Sequence, residues 1–283
     1  FNVAVIPQET LLFLDEIQAA PQALAALRYF YEEKPEIHVV TAGSLLEFVL
    51  SSPEFSVPVG RLDYLFLGPM TFEEFLLALD KQALTSYLYG FTLPDDVPDL
   101  IHNQLMEFVR LYFVVGGMPA SINAFVDASL AECETEKQSI INTYYDDFGK
   151  YKPRVSQERL RKVFDAVPLM VGRKLKYVNI DPHDNSRNLS YALKCLCEAR
   201  VMYNIHHSSA NGVPLRAEMN SSIFKPLFLD VGLLTSCCGL NVLDFDRVDD
   251  LIQVNQGAIC EQFVGQHLLY SSDYIRKPEL FYW

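Results

Sequence analysis

Two adjacent carboxylates, Asp15 and Glu16, directly follow a run of four apolar residues, Leu11 to Leu14. Four consecutive apolar residues are typical of a short strand that is buried on both faces of a parallel sheet. Such a strand fixes the two carboxylates side by side at the edge of the sheet. One of them can then hold Mg²⁺ through water, while its neighbour orients and polarises a water molecule that attacks a phosphate. The pair therefore indicates metal-assisted phosphate chemistry.

Polar residues also end a second apolar run. Thr41 follows that run and Ser44 lies three residues further on. Because ligands of parallel α/β sheets bind beyond the carboxyl ends of the strands, either hydroxyl is a candidate contact to the same phosphate. Arg61, which follows a glycine, is a candidate phosphate-facing cation, and an ordinary surface arginine is the alternative.

The elements that must position these side chains are predicted to form a strand–helix–strand unit. Pro21 suits the first turn of a helix, and apolar residues recur at helical spacing from Leu24 to Tyr31. A second buried strand is expected at Ile37–Val40, with His38 as a hydrogen-bonded core residue. Strand, helix and strand over about 30 residues form a βαβ unit.

Four apolar residues followed by Asp-Glu form the Walker B pattern of P-loop ATPases. The printed sequence contains no GxxxxGK[ST] loop, whose backbone N–H groups and lysine cradle the phosphates. Since that loop precedes Walker B in this fold class, we expect it upstream of Phe1. The chain starts in FNVAVI and stops in ELFYW, both strand-like runs, so we expect an excerpt of a longer polypeptide.

Length and composition predict a well-cored globular chain of about two domains, with 283 residues, 50% of them hydrophobic and 21% charged. No run approaches the roughly 18 apolar residues that a membrane span needs, which excludes an integral membrane protein. No signal peptide is visible, and the six cysteines form neither a disulfide framework nor a CxxC pair. We therefore expect a cytoplasmic protein without a membrane partner.

A basic segment is hidden in an acidic chain. The net charge is −13, yet residues 149–200 contain twelve basic and five acidic residues. The overall acidic field repels nucleic acid, whereas a local basic face can bind phosphates. Two interpretations remain open here: solvated helix faces, or a basic surface for phosphates.

Helices are predicted over most of the middle of the chain. Thr71–Glu74 has the form of a capping box, and the helical stretch from about 80 to 150 is interrupted at Gly116–Pro119. A further helix is expected at Ser186–Arg200, followed by a strand at Val201–Ile205 and a return strand from Leu215 onward. A helix followed by a hairpin is what a winged helix requires.

Four residues of the 186–200 helix lie off its apolar stripe and are candidate contacts to a DNA backbone. They are Arg187, Ser190, Tyr191 and Lys194. A winged helix can also serve only in protein interaction, so both partners stay open.

Beyond these patterns, the sequence resembles a family of predicted AAA+ ATPases of bacteria and archaea that carry a C-terminal domain of unknown function. The matching strings follow the family order over nearly the whole chain: LLFLDEIQ (11–18), TAGS (41–44), VGR (59–61), LGPMTFEEF (67–75), GGMP (116–119), YYDDFGKY (144–151), FKPLFLDVGLL (224–234) and GAICEQFV (257–264).

The resemblance implies ATP and Mg²⁺ as ligands. It makes Asp15 and Glu16 the Walker B pair, with Mg²⁺ held by Asp15 through water, and it gives Thr41 or Ser44 the sensor-1 role. Arg61 is similar to the family's GR arginine, an arginine finger or sensor contact. Since relatives place such an arginine at the nucleotide of the next subunit, the resemblance also implies a homo-oligomer.

The implied fold is α/β: an incomplete P-loop NTPase (AAA+) parallel-sheet core, then a helical region, a winged helix and the start of an α/β nuclease-like module of the PD-(D/E)XK type. The expected boundaries are 1–80, 81–150, 151–220 and 221–283. Glu261 matches the acidic residue on the first helix of the nuclease-like module, with a capping or packing role as the alternative. Asp230 is expected to be structural.

Two functions follow as hypotheses. The first is an AAA+ ATPase that couples its nucleotide state to the winged-helix and nuclease-like region. The second is a DNA-binding or scaffold protein whose ATPase core is vestigial.

Overall fold

The computed structural model describes residues 5–43, 60–93, 96–151, 155–240, 257–270 and 279–283. The chain divides into two compact units, Phe1–Leu65 and Phe66–Trp283. Each unit has a sheet of its own.

The first unit contains the predicted strand–helix–strand arrangement. Strand β1 (Leu11–Leu14) is followed by helix α1 (Pro21–Glu33) and strand β2 (His38–Thr41). The two strands are parallel, and Leu14 lies opposite Thr41 at their carboxyl ends. A small core of Ile17, Leu24 and Leu27 lies beneath this sheet. The prediction of a βαβ unit is confirmed.

The expectation that both strands are buried on both faces is wrong. Leu14 and Val39 pack against the small core, whereas Leu11 is 58% exposed and Phe13 is 56% exposed. His38 is exposed as well and is not a core residue. The physical reason is that α1 covers one face of the pair, and no element among the described residues covers the other.

The second unit begins with helices. They are α2 (Phe72–Ala78), α3 (Gln82–Gly90), α4 (Asp99–Val115), α5 (Pro119–Asp127), α6 (Leu130–Asp147) and α7 (Gln157–Ala166). The predicted capping box is confirmed: the Glu74 N–H donates to the Thr71 hydroxyl, and the Thr71 N–H donates to the Glu74 carboxylate at 2.7 Å. The predicted interruption at the glycine pair separates α4 from α5.

A helix and a hairpin follow, as predicted. Helix α8 (Ser186–Glu198) precedes the antiparallel strands β3 (Met202–Ser208) and β4 (Met219–Phe228). The return strand starts later than expected, because Leu215–Glu218 forms a short 3₁₀ helix before it. The remaining elements are α9 (Val231–Cys237), α10 (Ala258–Tyr270) and β5 (Phe281–Tyr282), which pairs in parallel with β3.

A buried carboxylate connects the break between α4 and α5 to helices α9 and α10. Asp230 accepts hydrogen bonds from the Gly117 N–H at 2.7 Å, from the Leu233 N–H at 3.0 Å and from the Gln266 amide at 3.4 Å. Burial raises the pKa of Asp230, while these donors and the nearby Lys137 lower it. This arrangement agrees with the structural role predicted for Asp230.

Within the described ranges, no single helix is long and apolar enough to cross a membrane. Helices α4 and α5 meet that criterion only when they are taken together, and they are bent by 113° at the break between them.

Candidate functional site

The carboxyl edge of the β1–β2 sheet brings three of the predicted site residues together. Asp15 and Glu16 directly follow β1, and Thr41 is the last residue of β2. The register pairs Thr41 with Leu14, the residue before Asp15, so the three residues lie at the same edge of the sheet. Backbone pairing continues past the strand ends, from the Ala42 N–H to the Leu14 carbonyl at 2.9 Å. Both carboxylates are exposed, so a ligand can reach them.

The backbone turns sharply at this edge. Glu16 has φ 50° and ψ 39°, in the left-handed region that non-glycine residues seldom adopt. Its N–H donates to the Asp15 Oδ1 at 2.9 Å. Directly after it, the Ile17 N–H donates to the Ala42 carbonyl at 3.1 Å, which ties the turn to the end of β2. Left-handed residues held by their surroundings are frequent at functional sites.

Gln18 contributes to this edge, and its role could not be derived from the sequence. Its amide nitrogen donates to the Glu16 carboxylate. Its Oε1 lies where a side chain at residue 43 would be, because a Cβ on Gly43 would collide with that oxygen. Gln18 therefore restrains Glu16 and fills the space beside Gly43. The signal in the sequence is only the Gln that follows the carboxylate pair by two residues.

Arg61 does not lie beside Asp15 and Glu16 of its own chain. Its Nη2 lies 2.6 Å from the Glu32 Oε1, near the C-terminal end of α1, whereas Asp15 and Glu16 precede the N-terminal end of that helix. A helix of this length spans about 20 Å. Hydrogen bonds from Arg28 and then Arg61 lower the pKa of Glu32.

The chemistry of these groups fits Mg²⁺ in part. Carboxylate and hydroxyl oxygens are the hard ligands that Mg²⁺ prefers, and Asp15 and Thr41 supply one of each at the same edge of the sheet. In the part of the chain that the structure describes, no group of three or more His, Cys, Asp or Glu side chains could form a cage for a metal. The edge therefore suits an ion that keeps several waters. Ser44, the remaining predicted residue of this site, lies outside the described residues.

The four candidate DNA contacts on α8 differ in their surroundings. The predicted apolar stripe is confirmed, since Leu189 and Leu193 are buried. Arg187 is exposed and Tyr191 is 42% exposed. The other two candidates have partners, as Lys194 lies 3.7 Å from Glu198 and Ser190 hydrogen-bonds to Tyr177.

Glu261 stands in the first turn of α10 and is paired. The Lys225 Nζ lies 2.9 Å from each of its carboxylate oxygens. The same ammonium lies 5.1 Å from the centre of the Tyr282 ring. These contacts connect α10 to β4 and β5 in the sheet.

Comparison with protein families gives two matches. Residues 1–76 match an AAA domain, and residues 106–244 match a domain of unknown function, DUF8612. Comparison with curated proteins and with solved structures gives no match. The first match contains Asp15, Glu16 and Thr41. It supports an AAA-type, P-loop ATPase-like region at the start of the chain and indicates nucleotide binding there.

Proposed function

We propose that the first unit binds ATP with Mg²⁺ at the carboxyl edge of the β1–β2 sheet and contributes the hydrolytic groups of an AAA-type ATPase. The observation that carries this proposal is the register between Leu14 and Thr41, which puts Thr41 and the exposed carboxylates Asp15 and Glu16 at one edge of the sheet. The AAA match over residues 1–76 supports it independently.

Each side chain has a separate task in this proposal. When bound, Mg²⁺ neutralises phosphate charge. Asp15 holds that ion through water, and Thr41 hydrogen-bonds the phosphate or the attacking water. Glu16 orients and polarises that water as the general base. Gln18 is a positioning residue, because its amide donates to the Glu16 carboxylate.

Replacing Glu16 by Gln in the full-length protein tests the proposal. The amide keeps the size and most hydrogen bonds of the carboxylate but cannot accept a proton. We expect affinity for a fluorescent ATP analogue with Mg²⁺ to stay within about twofold, while turnover falls by at least about 100-fold. Titration of the analogue and a phosphate-release assay measure the two quantities separately.

Glu9→Gln is the matched control, because Glu9 is an exposed carboxylate of the same unit that precedes β1. It should change neither binding nor turnover. Turnover retained in Glu16→Gln would remove Glu16 from the mechanism. A wild-type protein that binds no nucleotide in the presence of Mg²⁺ would contradict the whole proposal.

The same proposal includes two more detailed statements, on the role of Arg61 and on the C-terminal part of the chain. Arg61 serves a neighbouring copy of the chain in a homo-oligomer, which is compatible with its place beside Glu32 rather than beside Asp15. The nucleotide state is coupled to the C-terminal part of the chain, with a winged helix and a nuclease-like module as the elements that the family resemblance implies. Glu261, which that resemblance assigns to the module, is paired with Lys225.

The second candidate function is DNA binding, with an ATPase core that is vestigial. The exposed positions of Arg187 and Tyr191 on α8 favour it, because α8 is followed by the β3–β4 hairpin in the order that a winged helix requires. In this case DNA binding would show no dependence on ATP.

A further inference from the structure

We infer that three basic residues before α8, namely Arg173, Lys174 and Lys176, form with Arg187 a surface that contacts the phosphate backbone of duplex DNA. These three residues are called the basic loop below. The inference rests on the second candidate function and gives it a site that the helix pattern alone did not indicate.

The backbone of the basic loop is held in place by buried neighbours. Val171 and Leu175 are 2% and 8% exposed, and the Leu175 N–H donates to the Phe224 carbonyl of β4 at 3.0 Å. Gly172 has φ +80°, and a Cβ there would lie 3.1 Å from the Ala258 Cα. Val171 and Leu175 are buried on either side of Arg173 and Lys174, and all three basic side chains are exposed. Little conformational entropy of the backbone is then lost on binding.

Phe224 of β4 also connects the basic loop to α8. Tyr177, the residue after Lys176, has its ring centre 6.4 Å from that of Phe224, and its hydroxyl hydrogen-bonds to Ser190. Ser190 is three residues after Arg187, so the two lie on neighbouring turns of one helix face. The basic loop and the exposed face of α8 therefore belong to one continuous surface.

The four cations differ from Arg159, Lys162 and Lys194 of the basic segment, which are paired with carboxylates. Every acidic residue between 149 and 200 has a partner: Glu158 and Asp181 with Lys162, Asp184 with Arg159, Glu198 with Lys194, and Asp165 with the Tyr145 hydroxyl. For the cationic groups of Arg173, Lys174, Lys176 and Arg187, no ion pair or hydrogen bond is found among the described residues. Within the described part of the chain their positive charge has no ion-pair partner, although the chain as a whole carries −13.

Duplex DNA suits this surface because it presents one phosphate charge per about 1.7 Å of its axis. Cations on a fixed loop can contact such a backbone, while Arg187 and Tyr191 lie one turn apart on α8, next to a hairpin. These residues position the protein on the backbone and carry no sequence preference by themselves.

The test compares two triple variants of the full chain that lose the same charge. The first is Arg173→Gln, Lys174→Gln, Lys176→Gln. The control is Arg28→Gln, Lys34→Gln, Lys81→Gln, at exposed positions outside the basic segment. Fluorescence anisotropy with a labelled duplex of about 20 base pairs is measured across a salt series. We expect the basic-loop variant to lose at least about tenfold in affinity and about 2 to 3 in the slope of log K against log salt. The control should stay within about twofold of wild type.

The outcomes separate the possible failures. If the basic-loop variant binds DNA like the control, the proposal that the basic loop contacts DNA is wrong. DNA binding at another part of the chain then still stands. If the wild-type chain binds no DNA, the second candidate function falls with it, and the ATP proposal is still judged by nucleotide binding alone. Binding to vesicles with about 30% phosphatidylserine, without binding to DNA, would replace DNA by a lipid surface. The single variant Arg187→Gln gives a second readout, an expected loss of about 1 in the same slope.

Discussion

A half-buried imidazole connects the start of α2 to α10. His267 accepts a hydrogen bond at its Nε2 from the Phe72 N–H at 2.7 Å, so the ring proton is on Nδ1, which donates to the Phe263 carbonyl at 2.8 Å. Burial lowers the pKa of His267. A second proton on the ring would break the bond to Phe72 and would place a charge in a half-buried position.

The stability of the second unit is therefore expected to fall as the pH drops below about 6.5, the ordinary pKa of histidine. Between the lowered folded pKa and that value, the unfolded chain binds more protons than the folded one, so stability rises with pH there and is fully present above it. Urea unfolding at about pH 7.5 and pH 5.5 measures the difference. His267→Gln, whose amide oxygen can accept from Phe72, should show a smaller difference.

His102→Gln is the control for this prediction, because His102 is exposed. It should keep the wild-type pH response. A His267→Gln variant with the full wild-type response would show that other groups cause the loss of stability.

At the scale of elements, the end of α4 and the start of α9 approach backbone to backbone. A Cβ on Gly232 would lie 2.6 Å from both the Gly116 Cα and the Val115 carbonyl oxygen. The next carbonyl back, that of Val114, accepts a hydrogen bond from the fully buried Lys137 at 2.8 Å. This junction has no space for a methyl group, and the atoms it would meet are backbone atoms, which a change of side-chain rotamer does not move.

Gly232→Ala should accordingly destabilise the second unit by about 3 kcal/mol, because overpacking against backbone cannot be relieved by a change of rotamer. The midpoint of urea unfolding measures it. Gly90→Ala is the matched comparison: a Cβ there meets nothing within 4 Å, and Gly90 ends helix α3 with an ordinary φ. That substitution should leave stability unchanged or raise it by up to about 1 kcal/mol. Equal effects of the two changes would contradict the close contact.

For the whole molecule, the two units differ in how deeply their strands are buried. In the first unit, Leu11 and Phe13 on β1 are more than half exposed. In the second, Met202 on β3 and Phe228 on β4 are 0% and 1% exposed. Amide exchange requires local opening, and strands with few buried apolar contacts open at lower free energy.

Hydrogen exchange should therefore be at least about tenfold faster in peptides of β1 and β2 than in peptides of β3 and β4. Mass spectrometry of the exchanged full chain measures both sets in one sample, so each serves as the reference for the other. Equal protection of the two sets would mean that the exposed face of the first sheet is covered in solution.

Local patterns in the sequence were enough to predict several helices and strands. The βαβ unit, the Thr71–Glu74 capping box and the buried stripe of α8 were all predicted correctly, because a backbone period and a helix cap depend on residues within a few positions of each other. The exposed faces of β1 and β2 were missed. β1 is apolar at every position and shows no alternation, so only the layers packed on it decide which face is buried.

Contacts between distant parts of the chain were decided by the tertiary structure alone. The sequence by itself determined that Asp15 and Glu16 follow a strand, and the strand register then placed Thr41 opposite Leu14 at the same edge of the sheet. It did not determine that Arg61 pairs with Glu32. Nor did it determine which cations of the basic segment have partners. Ion pairs form between groups that the fold brings within a few ångströms, and neither composition nor spacing along the chain specifies that distance.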